Sequence, residues 1–287
     1  IEVGVPTSEA AGVAALSAAV AASGTEPLSD PLTLLRFYRA RGSDVEAAAA
    51  MYKATLQWRK DYSIPGVMDA YGTPGQYRPD SGCISPNWTW TCSPRTPEAK
   101  LARRHAFFGR VTSEVGSEPV LIWRAGMADY QGIVREGLVD LMIQAFIVHL
   151  EDALQSARAA SLQRRQLVRA RLIIDCQGFG FDNVRYIPIL RKILRLGKSY
   201  FPEVTASVTV VRAPGFLATF YGLIRPFLPK LLQEKVCILG KKFADGLEKH
   251  SGLDASALPT FLGGNVTDPG LGEVLPVPLD AWSSTSE

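Results

Sequence analysis

Apolar residues recur at Val45, Ala48, Ala49, Tyr52 and Leu56, at helical intervals, which predicts a helix with one buried face. Ser43-Asp44-Val45-Glu46 fits a capping box at its start, and Pro65-Gly66 is expected to end the run. Just upstream, Leu34, Leu35 and Tyr38 form a second apolar stripe. Asp30 is the expected N-cap of that helix, and Pro31 sits in its first turn, where a missing N–H costs nothing. Gly42 is placed to close it in a left-handed conformation. Residues 8–75 read as helices only.

From Pro119 onward the rhythm changes. Short apolar runs at 119–124, 171–176, 207–212 and 235–239 alternate with longer helical patterns near 136–160, 184–199 and 215–229. Strand-helix alternation of this kind implies right-handed crossovers and a mostly parallel sheet. The expected organisation is an N-terminal helical segment (1–75), an irregular Pro/Gly/Ser/Trp-rich connection (76–118), an α/β domain (119–264) and a surface-wrapping tail (265–287).

Composition narrows the function. With 47% apolar and 21% charged residues among 287, the chain has the make-up of a soluble globular protein. A net charge of +3 falls short of a dedicated nucleic-acid binder, and no RNP, zinc-finger or basic-zipper pattern is present. No run of about 18 apolar residues predicts a membrane span. The alanine-rich opening SEAAGVAALSAAVAASG lacks a basic n-region, so no signal peptide is expected, and the start at Ile1 fits an excised piece. Cys176 and Cys237 sit singly in apolar runs, as buried strand thiols would. Cys83 and Cys92, nine apart, match no zinc pattern but have a spacing that can close a loop.

Enzyme motifs are incomplete. DCQGFGFDN (175–183) offers Gly178 and Gly180, but Asn183 stands where a dinucleotide fingerprint needs its third glycine, which favours a plain strand-to-helix turn. Gly197-Lys198-Ser199 lacks the upstream glycine of a phosphate loop, and no G-x-S-x-G elbow occurs. His105, His149 and His250 lie far apart and read as packing or surface residues. The chain is therefore not expected to be an enzyme, and no cofactor or metal is called for.

Four blocks in order carry a resemblance: LLRFYRARGSDVEAA…WRKDY (34–62), RLIIDCQGF (171–179), YFPEVTASVTVVRAPGFLATFYGLIRPFLPKLLQEKVCILG (200–240) and LPTFLGG (258–264). They resemble the CRAL-TRIO family of lipid-binding proteins, most nearly its phosphatidylinositol/phosphatidylcholine transfer branch, over residues 30 to 264. The resemblance implies an α/β lipid cage, a parallel sheet floored by helices, with the segment from Pro214 to Pro229 as lid. Phe216, Phe220, Tyr221, Leu223, Ile224 and Phe227 make that segment apolar almost all round, a pattern that a buried core helix shares. A lid answers a real cost. Each acyl CH₂ exposed to water costs about 0.8 kcal/mol, so two chains cost on the order of 25 kcal/mol.

The resemblance also assigns a headgroup site. Arg41, Glu203 and Lys235 stand at family positions that meet an inositol-lipid headgroup, whereas Gly42, Val204 and Leu232 replace its lysine, a further basic residue and its threonine. Phe181, Phe216, Phe220, Leu223 and Phe227 are the expected apolar contacts. Leu150, Gly180 and Asp182 replace polar choline-side residues, which weakens the case for a phosphatidylcholine site. Arg36 and Arg39 are expected to snorkel or to pair with acidic neighbours. Arg191, Arg195 and Lys198 share one helical face, either a solvated surface or an attraction for anionic lipid. The expected partners are one phospholipid, phosphatidylinositol favoured, and transiently a membrane surface, with a cytoplasmic, peripheral location. The alternatives are a sterol, tocopherol-like or retinoid-like cargo, or a lipid-sensing recruitment module.

Overall fold

The computed structural model describes residues 4–21, 28–71, 89–90, 108–112, 118–228, 230–252 and 258–265. Four helices come first: α1 (Thr7–Val20), α2 (Pro31–Ala40), α3 (Val45–Asp61) and α4 (Ile64–Tyr71). Asp30 caps α2 as expected, its Oδ1 accepting from the Thr33 N–H at 2.9 Å, and Gly42 ends it at φ +63°. Ser43 is also left-handed, at φ +70°, so the next cap falls one residue later than the capping box places it. Asp44, not Ser43, accepts from the Ala47 N–H at 2.9 Å. Pro65-Gly66 does not end the helical course either. Ser63, at φ +51°, breaks it, and Pro65 opens α4, where it needs no N–H.

One six-stranded sheet follows, in the order β1 (Thr89–Trp90), β2 (Phe108–Thr112), β3 (Pro119–Trp123), β4 (Ala170–Asp175), β5 (Thr205–Val211), β6 (Val236–Ile238). β3 to β6 are parallel, as the strand-helix alternation predicts, while β1, β2 and β3 pair antiparallel. Residues 76–118, expected to be irregular, thus contribute two strands. β1 is two residues long, and Gly109 and Arg110 interrupt the apolar residues of β2, so no apolar run announces either strand. The crossovers are α5 (Tyr130–Arg135) and α6 (Val139–Arg164), a 3₁₀ turn (Phe181–Tyr186) with α7 (Ile187–Tyr200), and α8 (Leu217–Ile224) with a 3₁₀ turn (Arg225–Phe227) and α9 (Lys230–Gln233). α10 (Ala244–Ser251) follows β6. The first crossover is two helices rather than one because Gly137, at φ +69°, interrupts it.

Strand alternation gives the sheet two different faces. Val120, Ile122, Ile173 and Val211 pack with Leu247, Leu258 and Leu262 in one closed core. Leu172, Ile174, Val208, Val210, Val236 and Ile238 turn to the other side. The helical segment joins the α/β half through one continuous core. Arg59 forms a bidentate pair with Glu151 (2.7 and 2.8 Å), Arg158 reaches Asp30 at 2.6 Å, and Trp58 stacks on Tyr200 with centroids 4.3 Å apart.

The DCQGFGFDN segment is the structural turn its incomplete fingerprint favours. Buried Asp175 accepts from Nε and Nη2 of Arg212 and from the Gln177 N–H, and Arg124 lies 3.6 Å away. Arg212 also donates to the Phe261 carbonyl at 2.9 Å, tying the closing LPTFLGG block to the strand ends. Gly126 is required here: a Cβ on it would lie 2.1 Å from the Gln177 carbonyl oxygen. Cys176 is buried as expected, but Cys237 is only half-buried, because β6 borders the sheet. Cys83 and Cys92 lie outside the described residues, as does the tail from 266.

Candidate functional site

A cavity of about 540 Å³ opens between the apolar face of the sheet and the helices. Its floor is Trp123, Leu172, Ile174, Val208, Val210, Val236 and Ile238. Met142, Phe146 and Leu150, each four apart on α6, form one wall, and Ile189, Leu190, Ile193 and Leu194 of α7 form another. Tyr130 and Tyr186 stack beside Phe179 at the far end. The volume falls in the range of small-molecule sites, and the lining is overwhelmingly hydrocarbon.

Residues 214–228 cover this space. Leu217, Phe220, Tyr221 and Ile224 share one helical stripe of α8 and line the cavity, as does Leu228. Gly222, Leu223, Arg225 and Pro226 are exposed on the other side. The helix is therefore not a core element: one face meets the cavity and one meets solvent.

This geometry sorts the expected contacts. Arg41, Glu203, Lys235 and Phe220 line the cavity. Phe181, Phe216, Leu223 and Phe227, expected as apolar contacts, are not on its lining. Leu223 lies about a third of a turn off the lining stripe and is 45% exposed. Phe216 precedes the helix and packs on Phe179 and Phe181, which is itself 71% exposed. Phe227 falls in the 3₁₀ turn, where the α-helical spacing no longer applies. Leu150 lines the cavity as an apolar residue.

The polar residues of the site converge for a topological reason. Arg169 and Lys235 immediately precede β4 and β6, Glu203 stands two residues before β5, and parallel neighbours begin at the same edge. Backbone bonds from Ala170 N–H to Val204 O (2.7 Å) and Val208 N–H to Lys235 O (3.0 Å) hold them in step. Arg41, at the end of α2, joins them on the cavity lining. The Glu203 carboxylate accepts from Arg169 at 2.7 Å. Lys235 is held below the ordinary lysine range, first by burial and then by Arg169, with Glu203 and Glu234 opposing. Neither Arg41 nor Lys235 has a side-chain hydrogen bond or ion pair to a described residue. Lys198 and Lys230 line the same cavity.

Arg36 and Arg39 part company. Arg39 pairs with acidic Glu9 through two hydrogen bonds (2.8 and 2.5 Å), which raises the arginine and lowers the glutamate. Arg36 neither snorkels nor pairs with an acid. It is 1% exposed and donates to the carbonyls of Glu203 (2.7 Å) and Val168 (2.5 Å) and to the Ser161 hydroxyl (3.2 Å). Burial pulls it down to about 10, so it remains a cation at neutral pH. Sequence reasoning missed Arg169 and the structural role of Arg36. Arg169's position just before a strand is a weak signal, readable only once the parallel register is known.

A family model of the CRAL/TRIO domain matches residues 110–264, more than half of the chain. The chain belongs to the CRAL-TRIO family. This CRAL-TRIO chain is 28% identical over 271 residues to CRAL-TRIO domain-containing protein T23G5.2 of Caenorhabditis elegans, covering 88% of this chain and 34% of that one. It is 24% identical over 249 residues to the Sec14 cytosolic factor of Schizosaccharomyces pombe (86% and 78% covered). Over 239 residues it is 24% identical to phosphatidylinositol/phosphatidylcholine transfer protein SFH7 of Arabidopsis thaliana (82% and 39% covered). It spans about a third of the length of the first of these relatives and less than half of the last. The crystal structure of Sfh5 superposes with a TM-score of 0.59 at 13% identity, covering 94% of this chain and 91% of that one, and shares its fold. No described helix is long and apolar enough to cross a membrane.

Proposed function

We propose that this CRAL-TRIO chain carries one phospholipid with an anionic headgroup, phosphatidylinositol by preference, and exchanges it at membrane surfaces through its lid as a cytoplasmic, peripheral protein. The observation that carries this reading is that Arg41 and Lys235, neither with a side-chain hydrogen bond or ion pair to a described residue, line a mostly apolar cavity beside Glu203, Lys198 and Lys230. The names of the Arabidopsis relatives, phosphatidylinositol/phosphatidylcholine transfer proteins, support it. Titratable groups in the cavity favour binding over catalysis. Burial pushes the Cys176 thiol up to about 12 and the Tyr130 hydroxyl higher still, so both stay protonated.

Native mass spectrometry of the purified chain tests the reading, followed by transfer of labelled phosphatidylinositol between vesicles. A bound lipid and measurable transfer are expected; a chain that neither carries nor accepts lipid ends the proposal. A second reading, an uncharged hydrophobe such as a sterol, draws on Gly42, Val204 and Leu232 at positions where the inositol branch is polar or basic. Extraction of the copurified ligand separates the two. Lipid bound tightly but never transferred would instead favour a sensing module within a longer protein.

A further inference from the structure

Phe227 lies beneath two guanidinium groups. Arg191 Cζ is 4.7 Å from its ring centroid and Arg195 Cζ is 5.3 Å away. The two arginines stand four residues apart on α7, hence on one helical face, and Phe227 ends the turn that follows the lid helix. Arg191 Nη2 also donates to the Leu223 carbonyl at 3.4 Å. Farther along the seam Phe181 meets Phe216 edge to face at 5.4 Å. Among the described residues, no ion pair fastens the lid to α7. Rings and guanidinium groups do.

The surface around this seam is apolar and cationic at once. Phe181 and Leu223 are the exposed apolar residues on it. Residues 183–202 hold five cations and residues 213–233 hold two, and neither stretch contains an acidic residue. Lys192 is paired with Asp140 of α6, but among the described residues Arg191 and Arg195 engage only the lid. Exposed rings and aliphatic groups amid uncompensated cations match a charged leaflet with a hydrocarbon interior.

We propose that α7 and the lid together form the docking surface for an anionic bilayer leaflet, and that Arg191 and Arg195 leave Phe227 for lipid phosphates as it docks. The proposal rests on the lipid-carrier reading and adds the charge of the target surface and the trigger for opening. A surface shifts a conformational equilibrium only by its differential affinity for the two states. With the lid closed, both guanidinium groups are spent on one ring. With it open, they reach phosphates, where the contact is charge-assisted and geometrically matched. Anionic lipid therefore favours the open lid, and a neutral surface does not.

The test uses the full chain, purified with the lipid it holds, in co-sedimentation with vesicles of phosphatidylcholine alone or with phosphatidylserine added. Wild type should bind the serine-containing vesicles, weakly the others, and less as salt rises. R191Q/R195Q should lower binding by about 25-fold, roughly fivefold per basic residue at a charged leaflet, with lipid content by native mass spectrometry unchanged. F227L keeps the apolar bulk but removes the ring, so it should raise anionic-vesicle binding several-fold. Wild-type binding in R191Q/R195Q, or reduced binding in F227L, overturns the proposal. So does a vesicle-independent dimer lost in the same variants, which would give the face to a second copy. A chain empty of lipid that still binds vesicles through Arg191 and Arg195 sinks the carrier reading and supports the docking surface.

Discussion

Arg36 Nη1 donates to the Glu203 carbonyl at 2.7 Å, so a buried guanidinium of the N-terminal helices sets the backbone at the edge of the lipid cavity. Glu203 takes a left-handed φ of +51°, unusual for a residue with a side chain, and its carbonyl is held there from behind. The helical segment is thus part of the site's construction. Its own arginine shapes the strand entry that presents Glu203 to the cavity.

Arg36→Met should therefore unfold the chain at markedly lower urea. The change takes a donor from the Glu203 and Val168 carbonyls, and each buried acceptor left short of a partner costs about 1–3 kcal/mol. Arg36→Lys should recover little, because one ammonium cannot reach three acceptors in a fixed fork. Arg39→Ala, which removes a partly exposed pair with Glu9, should cost about 1 kcal/mol or less. Equal urea midpoints for the Arg36 and Arg39 variants would contradict this assignment.

Stability should also fall with acid through His149. Burial on α6 lowers its imidazole from 6.5 to about 3. In the unfolded chain it protonates near 6.5, whereas in the native state it stays neutral until about 3. Between those values the unfolded state binds more protons, so the contribution is whole above pH 6.5 and is lost as pH falls. The slope approaches roughly 1.4 kcal/mol per pH unit within that window. Urea titrations at stepped pH should show a shallower slope in His149→Gln than in wild type; parallel slopes would refute it.

Much of this architecture is readable in the amino-acid order because local signals and packing agree. Asp30-Pro31 and Gly42 bracket α2, and the alternation after Pro119 places all four parallel strands within a residue or two. The misses have physical causes. Asp44 rather than Ser43 caps α3 because two consecutive left-handed residues, not one, make the preceding turn. β1 and β2 pair at the sheet edge without apolar runs of their own. Among the lid aromatics Phe220 and Tyr221 reach the cavity while Phe216 and Phe227 do not, since which stripe faces inward depends on how α8 seats, and an all-round apolar helix leaves that open. Arg169 enters the site through parallel register, a long-range relation that no local spacing encodes.

Filling the cavity should displace the cargo without unfolding the protein. Val210 lies on its floor, near the C-terminal end of β5, with its side chain toward the open space. Val210→Trp places an indole where acyl chain would lie and adds apolar contact in place of void. The expected outcome is little or no lipid in native mass spectra, with a thermal midpoint equal to or above that of delipidated wild type. Full lipid occupancy in this variant would mean that the cargo lies elsewhere.

Headgroup recognition makes the sharpest demand on Arg41 and Lys235. A charge-assisted contact is worth roughly 1.5–3 kcal/mol, so Arg41→Ala and Lys235→Ala should each slow phosphatidylinositol transfer by one to two decades, and together more. The double variant should keep its fold by circular dichroism, since neither side chain supports other described residues through a hydrogen bond or ion pair. Lys235 adds a signature that a structural role would not produce. Burial and Arg169 hold its ammonium below the usual lysine range, so its charge is lost earlier on the alkaline side. Transfer by wild type should then decline as pH rises toward that range, while Lys235→Arg, charged throughout, should stay flat. Undiminished transfer in the double variant, or matching pH profiles for wild type and Lys235→Arg, would remove the headgroup from these two residues.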